Sequence, residues 1–262
     1  MDNSLYNTNN TTNMPLAGKS GYCAQLKFSS LMQGLPDDLQ QKLAAKGEAA
    51  EFRKNDALFL DGTAADHVFC VLDGKVKEYY TNNAGEECLR RIITRGHMVS
   101  LHHVFSGDTI YTYSCQALGL ASCYFWKTET IRTMMQQEPE LTMKVAQLLS
   151  GYMEESCRLH CICRKPQACA RVAAYLLSKN NDKKEHGSGK RSRNMAIDIS
   201  PLSLAARDIC LARETFSRSL SRIQEMGYIR QNNGIIHLLN TDGLMELSGI
   251  QACTCGPEKE FF

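Results

Sequence analysis

The 262-residue chain has no apolar run approaching the roughly 18 residues that a membrane span needs, which argues against a membrane protein. Its opening stretch, MDNSLYNTNNTTNMPLAGKSG, is rich in Asn and Thr and lacks the charged and apolar regions of a secretion signal, so the expectation is a cytoplasmic location. There is no phosphate-binding glycine loop, no metallohydrolase motif and no nucleophile–base pair at a defined spacing. These absences leave little from which to build an enzyme. Cysteine, by contrast, is abundant, with twelve residues. In a reducing compartment, and in a chain far larger than a stapled secreted domain, that number points to metal binding, thiol chemistry or plain burial before a disulfide framework.

A net charge of +2 conceals an uneven distribution. Arg164 to Asn240 holds 14 Lys and Arg against 6 Asp and Glu, which is +8 and leaves −6 for the rest. A basic third behind an acidic front is the electrostatic footprint of a nucleic-acid-binding module, although a solvated basic face would read the same way.

The text then changes period along the chain. Residues 1–20 are polar with nothing to bury and read as a disordered tail. Residues 21–137 contain short alternating runs, as in ALFLDGTAADHVFCVLDGKVKEYYTNNAGEECLRRIITRGHMV, broken by turn signals about every ten residues. That is the rhythm of an antiparallel β-barrel. Residues 138–165 read as one long helix with a stripe at Leu141, Val145, Leu148, Tyr152, Leu159 and Ile162, spaced as a heptad seam and interrupted at Glu155. The expectation is a homodimer paired along Leu148, Tyr152, Glu155, Leu159 and Ile162, with packing on the chain's own barrel as the alternative. In a parallel pair Glu155 would face its own copy, and that repulsion would make it a switch; bending to solvent or pairing with Arg158 is the bland alternative.

Residues 166–248 hold the most specific signal. Ser200 and Pro201 resemble a helix cap and first helical position, the short helix PLSLAARDI follows, and a turn through Cys210 leads into ARETFSRSLSRIQEMG. Phe216, Leu220 and Ile223 share one face of this second helix. Arg213, Glu214, Ser217 and Arg218 lie on the other at its N-terminal end, where a recognition helix meets the major groove. Arg can grip guanine, a carboxylate can accept from cytosine, and Ser or Thr can hold a phosphate or a base edge. Gly227 ends the helix, and YIRQNNGIIHLLN reads as a hairpin wing with an Asn-Gly turn. Residues 249–262 form a cysteine-containing tail.

The motifs ARETFSRSL and GYIRQNNGIIHL, behind GKVKEYYTNNAGEE and the heptad helix, resemble the Crp/Fnr superfamily of bacterial transcription regulators over about residues 25–248. The resemblance implies an α+β fold: an N-terminal cyclic-nucleotide-binding-type β-barrel (jelly roll), a long dimerisation helix and a C-terminal winged helix-turn-helix. It implies double-stranded DNA, RNA polymerase and a second copy as partners, and no enzymatic activity. It makes Arg213, Glu214, Ser217 and Arg218 base readers and Thr215 a phosphate contact. The Glu…Ser-Arg triplet is the Fnr-like version and implies a TTGA-type half-site. Cys210 stands where many members have Gly.

The signal is open among several readings. FSGDTIYTYSCQALG, where the family places its phosphate-gripping Arg, has none, which argues against cyclic AMP. An iron–sulfur cluster is a second reading: Cys123 resembles the family's barrel ligand, but Cys23 is alone where an N-terminal cluster motif would stand. CRLHCICRKPQAC offers Cys157, His160 and Cys161 on one helical face, with Cys163 and Cys169 near and Cys253 and Cys255 in the tail, so a metal, a cluster or thiol redox chemistry could use them. Haem is a third reading, since His102 in GHMVSLHHVF resembles a ligand of the carbon-monoxide-sensing branch; Ser100 replaces the Cys of that branch. His97, His102 and His103 as ordinary loop histidines is the competing reading. A cysteine-dependent metal- or thiol-handling protein without specific DNA reading is the alternative function, and it leaves RETFSR unexplained.

Overall fold

The computed structural model describes residues 19–107, 109–186, 196–232 and 234–249. The expected tail up to residue 18, most of the Gly- and Lys-rich loop after residue 186, Asn233 and the tail cysteines Cys253 and Cys255 lie outside the described residues. Two compact units divide near residue 153, and each is described by itself.

The first unit opens with two short helices that the strand-rich reading of this region did not anticipate, α1 (Lys19–Leu26) and α2 (Asp37–Lys46). Eight strands follow: β1 (Glu48–Phe52), β2 (Ala57–Phe59), β3 (His67–Asp73), β4 (Lys75–Thr81), β5 (Glu87–Thr94), β6 (Met98–Val99), β7 (Ser114–Ala117) and β8 (Ala121–Lys127). They form two antiparallel four-stranded sheets, ordered β1-β8-β3-β6 and β2-β7-β4-β5, which make the jelly roll. β3 reads as a nearly continuous apolar run, VFCVL, because it is central in its sheet and enclosed on both faces. β4 alternates instead, and its period of two turns both Val76 and the charged Glu78 inward. α2 is tied to the barrel by Trp126, whose indole N–H donates to the Leu43 carbonyl at 2.8 Å.

Helices α3 (Thr128–Gln137) and α4 (Pro139–Cys163) come next. Along the first half of α4, Leu141 and Val145 are fully buried in the core of the first unit, with Leu148 and Tyr152 packed against it. Ile162 is buried in the core of the second unit, with Leu159 and Cys163 against it. Leu148, Tyr152, Leu159 and Ile162 of the predicted seam thus pack against the chain's own cores. A stripe repeating every three and four residues is the same pattern whether it meets its own core or a second copy. The Glu155 carboxylate accepts from the Lys179 ammonium at 3.3 Å.

The second unit contains α5 (Ala168–His186), β9 (Ala196–Asp198), α6 (Leu202–Asp208), α7 (Arg213–Glu225), β10 (Ile229–Asn232), β11 (Ile235–Leu238) and α8 (Thr241–Ser248). β10, β11 and β9 form a three-stranded antiparallel sheet, one strand more than the expected hairpin. Its core gathers Val172, Leu176, Ile209, Phe216, Leu220 and Ile236. Ser200 is not the cap of α6: its N–H donates to the Asp198 carboxylate at 2.8 Å, and Pro201, after a cis bond, occupies the cap position. Gly234, at φ +80, sits where an added Cβ would come 2.2 Å from the Ser200 hydroxyl, so backbone conformation and close approach both require glycine. No helix among the described residues is long and apolar enough to cross a membrane.

Candidate nucleic-acid interface and sensor core

α6, a four-residue turn and α7 make the helix-turn-helix. Cys210 in that turn takes φ +54, the left-handed conformation that glycine adopts without cost. The carbonyl of Ala206 accepts from Leu211 across the turn at 2.9 Å and closes it. α7 then runs to Glu225 and is stopped by Gly227 at φ +76. Phe216, Leu220 and Ile223 are buried on its inner face, each worth roughly 1.5–3 kcal/mol of burial. That anchorage leaves Arg213, Glu214, Ser217 and Arg218 exposed at the N-terminal end, with Thr215 half-buried. The Arg218 Nε–H donates to the Glu214 carbonyl at 3.4 Å, which lays the guanidinium along the first turn. Below it lies a cleft of about 370 Å³ lined by Cys169, Thr215, Arg218, Ser219 and Arg222. Arg222 was not singled out from the sequence; its spacing of four from Arg218 on the same exposed face is the signal that could have found it.

The barrel holds a charged centre that the sequence reading also missed. Glu78 is fully buried and directly opposite Arg91 in the β4–β5 register. Its carboxylate takes Arg91 Nε at 2.7 Å and Arg91 Nη2 at 3.1 Å, a bidentate pair, and also bonds Arg90. Arg90 lies over the Tyr113 ring at 4.4 Å, and the Tyr113 hydroxyl is buried without a hydrogen-bond partner among the described residues. An acidic residue at an inward position of period two was the available signal.

Around this centre the sensor candidates are sorted. The segment FSGDTIYTYSCQALG contributes Tyr111 and Tyr113 to the buried interior, and the arginines there come from β5 and are engaged by one carboxylate. His102 is half-buried beside His103, ring centroids 4.2 Å apart, and near Tyr113. Burial first, then the charges of His103 and Arg90, hold its imidazole down to about 4. Ser100, at the position of the missing cysteine ligand, donates its hydroxyl to the His67 carbonyl at 3.0 Å, so the haem expectation finds an imidazole but no thiolate.

Among the described residues no three His, Cys, Asp or Glu side chains come together to hold a metal ion. Cys123 is enclosed in the barrel core, where burial pushes its thiol well up. Cys157, His160 and Cys161 are exposed on α4, while Cys163, two positions beyond Cys161, turns inward and donates to the Asp208 carbonyl at 3.9 Å. Residues spaced on one helix face share a face without converging on a point.

Comparison with known proteins agrees with both halves. Residues 49–138 match the cyclic nucleotide-binding domain family, and residues 170–247 match the Crp-like helix-turn-helix domain family. The chain belongs to the Crp/Fnr family of transcription regulators. Among its relatives, the transcriptional activator protein anr of Pseudomonas aeruginosa is 27% identical over 201 residues, covering 76% of this chain and 80% of that one. The anaerobic regulatory protein of Haemophilus influenzae is 23% identical over 197 residues, covering 75% of each. FixK2 from Bradyrhizobium japonicum shares the fold, with a TM-score of 0.66 at 17% identity over 79% of this chain and 99% of that chain. This Crp/Fnr regulator is a DNA-binding protein and not an enzyme.

Proposed function

We propose that this regulator acts as a cytoplasmic homodimer that reads a TTGA-type palindrome through Arg213, Glu214, Ser217 and Arg218, with Thr215 on a phosphate. RNA polymerase is its partner at the promoter, and a redox, gas or small-molecule signal sets its DNA affinity. The observation that carries this reading is the division of α7: a fully buried apolar face fixes the helix, and four side chains able to read bases stand exposed at its N-terminal end. A relative named as an anaerobic regulatory protein supports the redox-linked part.

Dimerisation is assigned to the outward side of α4. Met143, Ala146, Ser150, Met153, Cys157 and His160 repeat every three and four residues and are all exposed, and Met143 and Met153 leave 62% and 64% of their surface uncovered. A methionine stripe open to water is a surface that a second copy would cover. Met153→Glu should then shift the chain from dimer to monomer in sedimentation; an unchanged dimer moves the interface elsewhere.

The DNA reading is tested by gel retardation of the reduced chain on a TTGA palindrome and on scrambled DNA. Arg218→Ala should lose about 1–3 kcal/mol of discrimination, roughly tenfold or more, and keep a residual binding that salt weakens steeply. Equal loss on every sequence would overturn the base-reading role.

A further inference from the structure

Cys163 at the end of α4 and Cys210 in the turn before α7 are 47 positions apart in sequence, yet three contacts converge on them. The Cys163 thiol donates to the Asp208 carbonyl at 3.9 Å, two residues before Cys210. The Cys210 thiol is near enough to add to the upward push that burial gives the Cys163 thiol. Arg171 ties the same two segments, donating Nε–H to the Lys165 carbonyl at 2.6 Å and Nη1–H to the Cys210 carbonyl at 3.4 Å. Cys210 is exposed and Cys163 half-buried, so one thiol meets solvent and the other stands behind it.

We propose that Cys163 and Cys210 are a reversible dithiol–disulfide pair, oxidised by hydrogen peroxide, whose disulfide lowers the affinity of α7 for DNA. The proposal rests on the DNA-reading role assigned to α7 above and names the site of its redox signal. Cys210, the exposed partner, attacks first: its thiolate sulfur bonds the distal peroxide oxygen, the O–O bond breaks, and hydroxide leaves as water, giving a sulfenic acid. The Cys163 sulfur then attacks the Cys210 sulfur. The S–S bond forms, the S–O bond breaks, and the departing hydroxide takes the Cys163 proton as a second water. Two thiols lose two electrons, and one peroxide is reduced to two waters. Burial, with the Cys210 contact, pushes the Cys163 thiol up to about 11, while Arg171 pulls the other way. That order suits Cys163 to the second, resolving step.

The consequence for DNA follows from position. Cys210 holds the left-handed residue of the turn, three residues before Arg213. In the dithiol form the turn meets the end of α4 through non-covalent contacts, the Cys163–Asp208 hydrogen bond and the shared core of Ile162 and Ile209. A covalent crosslink at Cys210 re-poses that residue against α4 and with it the first turn of α7, where the base-reading side chains stand.

The experiment treats the reduced full chain with hydrogen peroxide, blocks remaining thiols, maps crosslinked peptides by mass spectrometry, and measures retardation of a TTGA palindrome in parallel. A Cys163–Cys210 peptide and a tenfold or greater loss of DNA affinity are expected, both reversed by dithiothreitol and both absent in Cys163→Ser and Cys210→Gly. The glycine variant suits φ +54 and keeps the turn folded. No Cys163–Cys210 crosslink, a crosslink that leaves DNA affinity unchanged, or a loss of affinity that persists in both variants overturns the proposal. A reduced chain that ignores the TTGA site overturns the operator reading alone; the peptide map then decides the pair, its presence sustaining the disulfide and its absence removing it.

Discussion

The phenol oxygen of Tyr152 on α4 accepts the backbone N–H of Met98 on β6 at 3.0 Å, while the guanidinium of Arg91 lies 5.1 Å from its ring. One side chain thus joins the long helix to the barrel at the charged centre around Glu78. Tyr152 is half-buried and Met98 fully buried, so the Met98 N–H depends on the phenol as its acceptor. Tyr152→Phe keeps the ring and removes the acceptor, so it should cost about 1–3 kcal/mol of stability, read as a lower denaturation midpoint at unchanged slope.

Glu78 is the negative member of a buried triad with Arg90 and Arg91. Glu78→Gln leaves two guanidinium groups without their carboxylate and should destabilise the chain by about 3–5 kcal/mol. Urea denaturation followed by Trp126 fluorescence would measure it. A loss under 1 kcal/mol would mean that solvent reaches the centre.

Acidification should weaken the barrel. Burial holds His102 down to about 4 and lowers His67 from the ordinary imidazole value of 6.5. A depressed imidazole favours the neutral folded form, so its contribution is complete above the unfolded value near 6.5 and is lost as pH falls toward 4. The melting temperature should therefore drop between pH 7.5 and pH 5. In His102→Gln the drop should be smaller, and an identical pH profile in that variant would exclude His102 as its source.

Asp208 carries the opposite sign. Burial raises its carboxyl, outweighing the Lys179 charge and the Tyr175 hydrogen bond, while Glu155 adds to the rise. A raised carboxyl contributes stability that is present at low pH and lost as pH climbs through the folded value. Asp208→Asn should be neutral or stabilising at pH 7.5, with that advantage shrinking on acidification. Calorimetry at two pH values checks it, and clear destabilisation at pH 7.5 would mean that the Lys179 pairing dominates.

Local rules made much of this molecule legible in its sequence. A period of two and recurrent turns marked the barrel, a period near 3.6 marked α4 and α7, and the buried Phe216, Leu220 and Ile223 left one arrangement for Arg213, Glu214, Ser217 and Arg218. Spacing along one element is set by backbone geometry alone, so these features needed no knowledge of the rest of the chain. What each face meets is set by segments distant in sequence. Leu148 and Tyr152 turned out to meet the barrel, Glu155 to meet Lys179, and Glu78 to meet arginines twelve and thirteen residues on. Cys157, His160 and Cys161 share a helix face yet hold no common point, whereas Cys163 and Cys210, with 46 residues between them, come within reach of each other. The sequence by itself determined which elements form and which sides of them are apolar, because those depend on neighbours three or four residues away. Tertiary structure alone decided which charges are paired and which thiols are adjacent, because such groups interact over a few ångströms in space however far apart they lie along the chain.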